Sequence, residues 1–180
     1  MKIISPMGRS RLSVSVRGGA SLEKINDRHI PVIGEYAQRI ISTLTMGIIG
    51  LGGIGSILVE MIMRLLPGKI VIADDDVLEF TNLNRVVGAN YKDAKRALLK
   101  TDLAARTISR FNTLQDFSAV NGNFLDESVQ RKFKECDVIF SATDNVSSRF
   151  AACNLCLANG IALIDVGTGV IMKDGKVEAA

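Results

Sequence analysis

Apolar residues along the chain follow two rhythms, short unbroken runs and longer stretches spaced three and four apart, and their alternation predicts strand–helix–strand units. Met46 to Ile49 is a short apolar run bounded by glycine, which predicts a buried strand. Past the glycines the apolar positions become Ile54, Ile57, Leu58, Met61, Ile62 and Leu65, the spacing of a helix laid with that face on a sheet. Glu60 and Arg64 stand one turn apart as an outward pair. Pro67-Gly68 ends the helix, and Lys69 to Ala73 is a second apolar run of the kind buried on both faces of a parallel sheet.

The rhythm repeats downstream. A polar, turn-rich connection, Asp75 to Lys92, precedes a helix expected from about Asp93 to Phe111, with Lys100 on its flank. Connections in such units are usually about 2 to 6 residues, so one this long is expected to be functional. Phe117 to Val120 reads as a strand, Asp126 as the N-cap of a helix through Val129 and Phe133, and Val138-Ile139-Phe140 as a buried strand. A helix over Ser147 to Asn159 ends at Gly160, Ile161 to Val166 is a further strand, and Asp174-Gly175 centres a hairpin. Upstream, a helix interrupted near Pro31 and Gly34 leads into the first strand, and Leu12 to Val16 alternates like an edge strand. The fold class expected is α/β, a Rossmann-like, mostly parallel sheet with helices on both faces.

Composition narrows the class. The 180 residues are 47% hydrophobic and 23% charged, as in a soluble globular protein. A net charge of +3, scattered without basic blocks, gives no sign of a nucleic-acid partner. No apolar segment approaches the roughly 18 residues of a membrane span, and the first ten residues lack the apolar core of a signal peptide. Three cysteines, Cys136, Cys153 and Cys156, make no disulfide framework, and a cytoplasmic location is expected. Cys153-Asn154-Leu155-Cys156 lies inside a helix with no second pair, which reads as packing where zinc requires four ligands.

The chemistry begins at Gly50-Leu51-Gly52-Gly53-Ile54-Gly55-Ser56. It fits G-x-G-x-x-G between a strand and a helix, where glycines allow a tight turn, backbone approach to phosphate and close helix packing. An anion is expected at the helix N-terminus. Asp74, closing the next strand, is placed to accept hydrogen bonds from ribose hydroxyls. Asp144, just past the carboxyl end of a strand, shares that rim with Asp74, Asp76, Asn82, Arg85 and Lys100. With only His29 and no glycine-flanked serine, a hydrolytic triad has no material. Cations and carboxylates around a nucleotide suit attack of a carboxylate on the α-phosphorus of ATP. The nucleophile is already ionised, and the catalyst must neutralise charge and align the groups. Arg85 and Lys100 could do the first, and Asp144 could hold Mg²⁺.

Gly50 to Ser56, Asp74-Asp75-Asp76, Asn82-Leu83-Asn84-Arg85, Lys100, and Thr143-Asp144-Asn145 with Arg149, in that order, resemble the ThiF/MoeB/HesA family, the adenylating domain shared with ubiquitin-activating enzymes. The match covers about Arg28 to the end. The resemblance implies that Gly50, Gly52, Gly53, Gly55 and Ser56 cradle ATP, that Asp74 holds the ribose with Asp76 also among the nucleotide-binding residues, and that Asn82, Arg85 and Lys100 hold phosphates. It places Asp144 at Mg²⁺ and the reacting phosphate, and sends Arg28 into the neighbouring subunit's site. It implies a homodimer that adenylates the C-terminal glycine of a ubiquitin-like or sulfur-carrier protein. The chain departs from the pattern where the family's glycine three residues before the lysine is Ala97. Residues 1–27 match nothing and read as an extension. The family domain continues past this C-terminus, so 28–180 is expected to be an incomplete, C-terminally truncated nucleotide-binding domain. Two alternatives stand beside this reading, an NAD-binding Rossmann oxidoreductase, which the glycine turn and Asp74 would equally suit, and a non-catalytic scaffold half of a heterodimeric activating enzyme.

Overall fold

The computed structural model describes residues 25–167 and the backbone of two further strands, 171–173 and 176–179. The alternation at Leu12 to Val16 lies outside the described residues. Two short helices, α1 (Ile30–Ile33) and α2 (Glu35–Ile41), precede β1 (Thr45–Ile49), α3 (Gly53–Arg64) and β2 (Lys69–Asp74). Then come α4 (Tyr91–Lys95), α5 (Lys100–Phe111), β3 (Phe117–Asn121), α6 (Glu127–Phe133), β4 (Val138–Ser141), α7 (Val146–Asn159) and β5 (Ala162–Asp165). Five parallel strands stand in the order β3-β2-β1-β4-β5. β6 (Ile171–Lys173) and β7 (Lys176–Ala179) form the expected antiparallel hairpin, with Lys173 opposite Lys176.

This order fixes where a ligand can sit. The chain runs from β1 outward to β3, then returns to the other side of β1 for β4 and β5, and right-handed crossovers in opposite directions put their helices on opposite faces. One face holds α3 and α5 over Ile48, Ile70 and Ile72, with Val59, Ile62, Met63 and Ile108 buried. The other holds α6 and α7 over Ile49, Val71 and Ile139, with Val129, Phe133, Ala152 and Leu155 buried. At the reversal the loops after β1 and β4 diverge, opening a crevice at the carboxyl ends of the strands.

The helices differ from the sequence expectation in two places. Along α3 the buried residues are Gly55, Val59, Ile62 and Met63, whereas Ile57 is 47% and Met61 61% exposed. The apolar stripe is wider than the contact the sheet offers, because Gly55 draws the helix onto the Gly50 turn and sets its rotation. A Cβ at Gly55 would lie 1.9 Å from Gly50 O. The single helix expected from Asp93 to Phe111 is instead two, α4 and α5. Between them Ala97 takes φ +48°, and Leu99 forms an antiparallel bridge with Val77, so the chain must leave helical geometry. That bridge pins the long connection to the start of α5. Asp126 is the N-cap of α6, without a side-chain capping bond.

Candidate functional site

A cavity of about 880 Å³ opens over the carboxyl ends of the parallel strands, walled by the turn after β1, Asp74–Asp76 after β2, Gly122–Phe124 after β3 and Ala142–Asn145 after β4. Its size falls in the range of small-molecule sites. Its floor is the glycine turn. Gly50 has φ +85°, and a Cβ there would press on the Ala142–Thr143 peptide at 2.9 Å. A Cβ at Gly52 would meet nothing within 4 Å, so at this position the backbone is bare toward an open space where a phosphate could approach. Gly53 begins α3, and the Arg85 side chain covers it at 3.4 Å from where a Cβ would be.

The β2 bank is a carboxylate network. Asp74 Oδ2 accepts the Leu51 N–H at 2.6 Å and Oδ1 accepts the Asp76 N–H at 2.9 Å. Burial pushes the Asp74 carboxyl above its usual range, against these two N–H groups and the Lys100 charge, which pull it down. Lys100 Nζ pairs with Asp76 Oδ2 at 2.6 Å and lies 3.9 Å from Asp74 Oδ1. The bridge at Val77 and Leu99 delivers Lys100 here, and its backbone N–H donates to Asp76 O at 3.0 Å. Asn123 Nδ2 donates to Asp75 Oδ2 at 2.8 Å, tying the β3 loop to the same bank.

The opposite bank follows β4. Asn145 caps α7, its Oδ1 accepting the Ser147 N–H at 2.8 Å and the Ser148 N–H at 3.4 Å. That cap holds Asp144 at the cavity rim, exposed. Among the described residues its carboxylate accepts no hydrogen bond and joins no ion pair. Two strand spacings, about 10 Å, separate the β2 and β4 banks. Arg85 stands over the glycine turn between them, its Nη1 donating to Thr81 O at 2.8 Å and Asn84 Oδ1 at 3.2 Å. No carboxylate among the described residues neutralises it.

A model of the ThiF family matches residues 26–176. The chain belongs to the ThiF family. Relatives in sequence include the adenylyltransferase and sulfurtransferase MOCS3 of Dictyostelium discoideum, 27% identical over 74% of this chain and 31% of its own length. Ubiquitin-like modifier-activating enzyme 5 of Bombyx mori is 29% identical over 71% of this chain and 35% of its own. The chain thus spans about a third of these relatives. In fold it is similar to the E. coli tRNA N6-threonylcarbamoyladenosine dehydratase TcdA in complex with AMP, with a TM-score of 0.78, 24% identity, and coverage of 90% of this chain and 65% of that one.

Most of the residues the ThiF motifs single out meet at this cavity: Gly50, Gly52, Gly53, Asp74, Asp76, Arg85, Lys100 and Asp144 all line it. Four do not. Gly55 lies beneath the turn as a packing glycine. The Ser56 hydroxyl donates to Gly53 O at 2.9 Å and accepts the Val87 N–H at 3.0 Å, clamping the connection to α3. Asn82 is buried, and its Oδ1 accepts the Glu79 N–H at 3.0 Å in a reciprocal cap of the short turn Phe80–Asn82. It shapes the loop that presents Arg85 and does not itself reach the cavity. Arg28 is exposed and lies outside the lining. The sequence reading assigned no role to Asn84, Asn123, Phe124 or Arg149, all of which line the cavity. The rule that located Asp144, position just past a strand's carboxyl end, would also have found Asn123.

Proposed function

We infer that this chain is the nucleotide-binding part of an ATP-dependent adenylyltransferase, which activates the C-terminal glycine carboxylate of a ubiquitin-like or sulfur-carrier protein. The observation that carries this is Arg85, an unneutralised guanidinium over the bare glycine turn, facing the uncommitted Asp144 carboxylate across the cavity. A cation over the phosphate cradle serves transfer at phosphorus; hydride transfer between carbons has no need of it. The names of the MOCS3 and modifier-activating relatives support the carrier-protein acceptor.

In this reading the acceptor carboxylate oxygen attacks the α-phosphorus, a new P–O bond forms, and the bond to the pyrophosphate oxygen breaks with the electron pair leaving on pyrophosphate. No proton needs to move. Asp74, held by two N–H groups, fixes the ribose. Arg85 neutralises the triphosphate, and Lys100 exchanges part of its pairing with Asp76 for phosphate oxygen. Asp144 supplies a hard oxygen ligand suited to Mg²⁺, which when bound lowers the phosphate charge. Arg28, outside its own cavity, acts in the partner subunit of a homodimer. The free cysteines support a cytoplasmic, reducing setting.

Calorimetry on the chain with ATP and Mg²⁺ against NAD⁺ tests the reading. ATP should bind more tightly, and tighter NAD⁺ binding would overturn it in favour of an oxidoreductase. In the enzyme that contains this chain, mixing Arg28→Ala subunits with Asp144→Ala subunits should restore ATP–pyrophosphate exchange at one site per mixed dimer. Mixed dimers without activity would place Arg28 outside the mechanism.

A further inference from the structure

The β4 side of the cavity holds a guanidinium whose donors are not spent. Arg149 is the single charged residue of α7. It stands one turn past the Asn145 cap, its N–H donating to Asn145 O at 3.1 Å, and its side chain lines the cavity. Asp165, at the end of β5, lies 3.1 Å from Arg149 Nε, yet Nε is shut off from solvent and no acceptor among the described residues meets its N–H. The contact is therefore an ion pair without a directed hydrogen bond, and the fork of N–H groups is left unfilled. Asp165 is a loose partner, its side chain 46% exposed. The other two cations of the cavity are engaged, Lys100 by Asp76 at 2.6 Å and Arg85 by Thr81 O and Asn84 Oδ1.

The seat beneath the fork is bare backbone. A Cβ at Gly167 would lie 2.0 Å from Arg149 Nη2 and 2.9 Å from its Cζ, so the guanidinium rests directly on this glycine, which also lines the cavity. A planar fork presents paired N–H donors that match the two oxygens of a carboxylate. A donor already withdrawn from water gains most from such an acceptor. Position then selects which anion arrives. Asp74 and Asp165 close strands three spacings apart in the sheet, about 14 Å, and the glycine turn with Arg85 lies between them. Phosphates that follow a ribose held at Asp74 meet Arg85 first. Arg149, on the far side past Asp144, is left for a second anion. Two anions must meet in an adenylation, and each needs its own countercharge.

We propose that Arg149 binds the terminal carboxylate of the acceptor chain, taking it in exchange for Asp165. Asp165 holds the fork over Gly167 before the acceptor arrives and turns to water once it is displaced. The role rests on the adenylating reading of the cavity and adds to it the group that receives the nucleophile.

ATP–pyrophosphate exchange in the enzyme that contains this chain reads the subsite, driven by a synthetic peptide ending in Gly-Gly with a free carboxylate and by the same peptide ending in an amide. The parent should exchange with the carboxylate peptide alone. Arg149→Gln should raise the peptide KM about 10-fold or more, with the calorimetric Kd for ATP unchanged. Arg149→Lys should recover little of that loss, since an ammonium lacks the fork. Gly167→Ala keeps the charge but lifts the fork from its seat, and should raise the same KM. Asp165→Asn should lower it, because the competing carboxylate is gone. A purely structural pair would instead make Asp165→Asn behave like Arg149→Gln. That outcome, or an Arg149→Gln enzyme with the parent's peptide KM, overturns the proposal, and so does loss of ATP binding in Arg149→Gln, which would place the guanidinium on the nucleotide. A parent that binds ATP yet exchanges with neither peptide would overturn the adenylating reading itself, and the subsite with it.

Discussion

Ala97 sits at φ +48°, a conformation that costs an L side chain about 1 to 2 kcal/mol and glycine almost nothing. The strain is held because Leu98 N–H must reach Asp93 O and Leu99 must bridge to Val77. Ala97→Gly should therefore stabilise the chain by about 1 kcal/mol, read as a higher urea midpoint at unchanged slope; a lower midpoint would contradict the argument. Asp93 nearby is buried and bonded twice by Arg106, at 2.8 and 2.6 Å. That hydrogen bonding, with the Arg106 charge, holds the Asp93 carboxyl below its ordinary 3.8, against the burial that pushes it up. The pair's contribution is complete above the ordinary value and is lost as pH falls through the folded one. Asp93→Asn should thus be less stable than the parent at about pH 7, with the gap in urea midpoint closing below about pH 4. Asp144 predicts differently: in the intact enzyme Asp144→Ala should lower carboxylate-dependent ATP–pyrophosphate exchange by about 10²-fold or more, about 3 kcal/mol at the transition state. Its melting temperature should not change, since the side chain holds nothing in place.

At the scale of elements, the position of α3 on β1 sets the cavity floor. Gly55 lets the helix backbone touch the Gly50 carbonyl, and backbone cannot move aside as a side chain can. Gly55→Ala should destabilise the chain by about 3 kcal/mol and weaken ATP binding as well, because relieving the clash lifts the helix and tilts the cradle. Gly52→Ala is the matched control: its Cβ meets open space, so the fold should keep its stability while nucleotide affinity falls. Equal stability losses in the two variants, read by calorimetry, would mean the two glycines do the same work. The connection from Asp75 to Asn90 belongs to this scale too. Its length is used to bridge Val77 to Leu99, cap at Glu79 and Asn82, and bring Arg85 back over Gly53.

At the scale of the molecule, the described residues place a core cluster on each face of one sheet, with a smaller third cluster of Leu78, Val86 and Leu103 under the long connection. Phe133 on one face and Ile108 on the other are both fully buried, and their clusters meet only through the strands. Phe133→Ala and Ile108→Ala should each cost about 3 to 5 kcal/mol. Both variants should still unfold in one calorimetric transition with the parent's ratio of van't Hoff to calorimetric enthalpy, because neither layer can lose its helices and keep the sheet buried. Two resolved transitions in either variant would show that the faces fold as separate units.

Local pattern alone determined the strand–helix alternation, the parallel Rossmann-like sheet, and the meeting of Asp74 and Asp144 on one rim. Strand runs, glycine turns and caps are set within a few residues, and the handedness of crossovers does the rest. Three things needed the tertiary structure. The sequence shows α3 as apolar at Ile57 and Met61 and cannot say that the sheet leaves them exposed, because rotation is fixed by the Gly55 contact. It shows a helical period from Asp93 to Phe111 and cannot show the bridge from Leu99 to Val77, a pairing across the long connection, that breaks it. And it places Asn82 and Ser56 beside motif residues that do line the cavity, whereas which way each side chain turns is decided by the hydrogen-bond partner that folding brings within 3 Å, Glu79 for one and Val87 for the other.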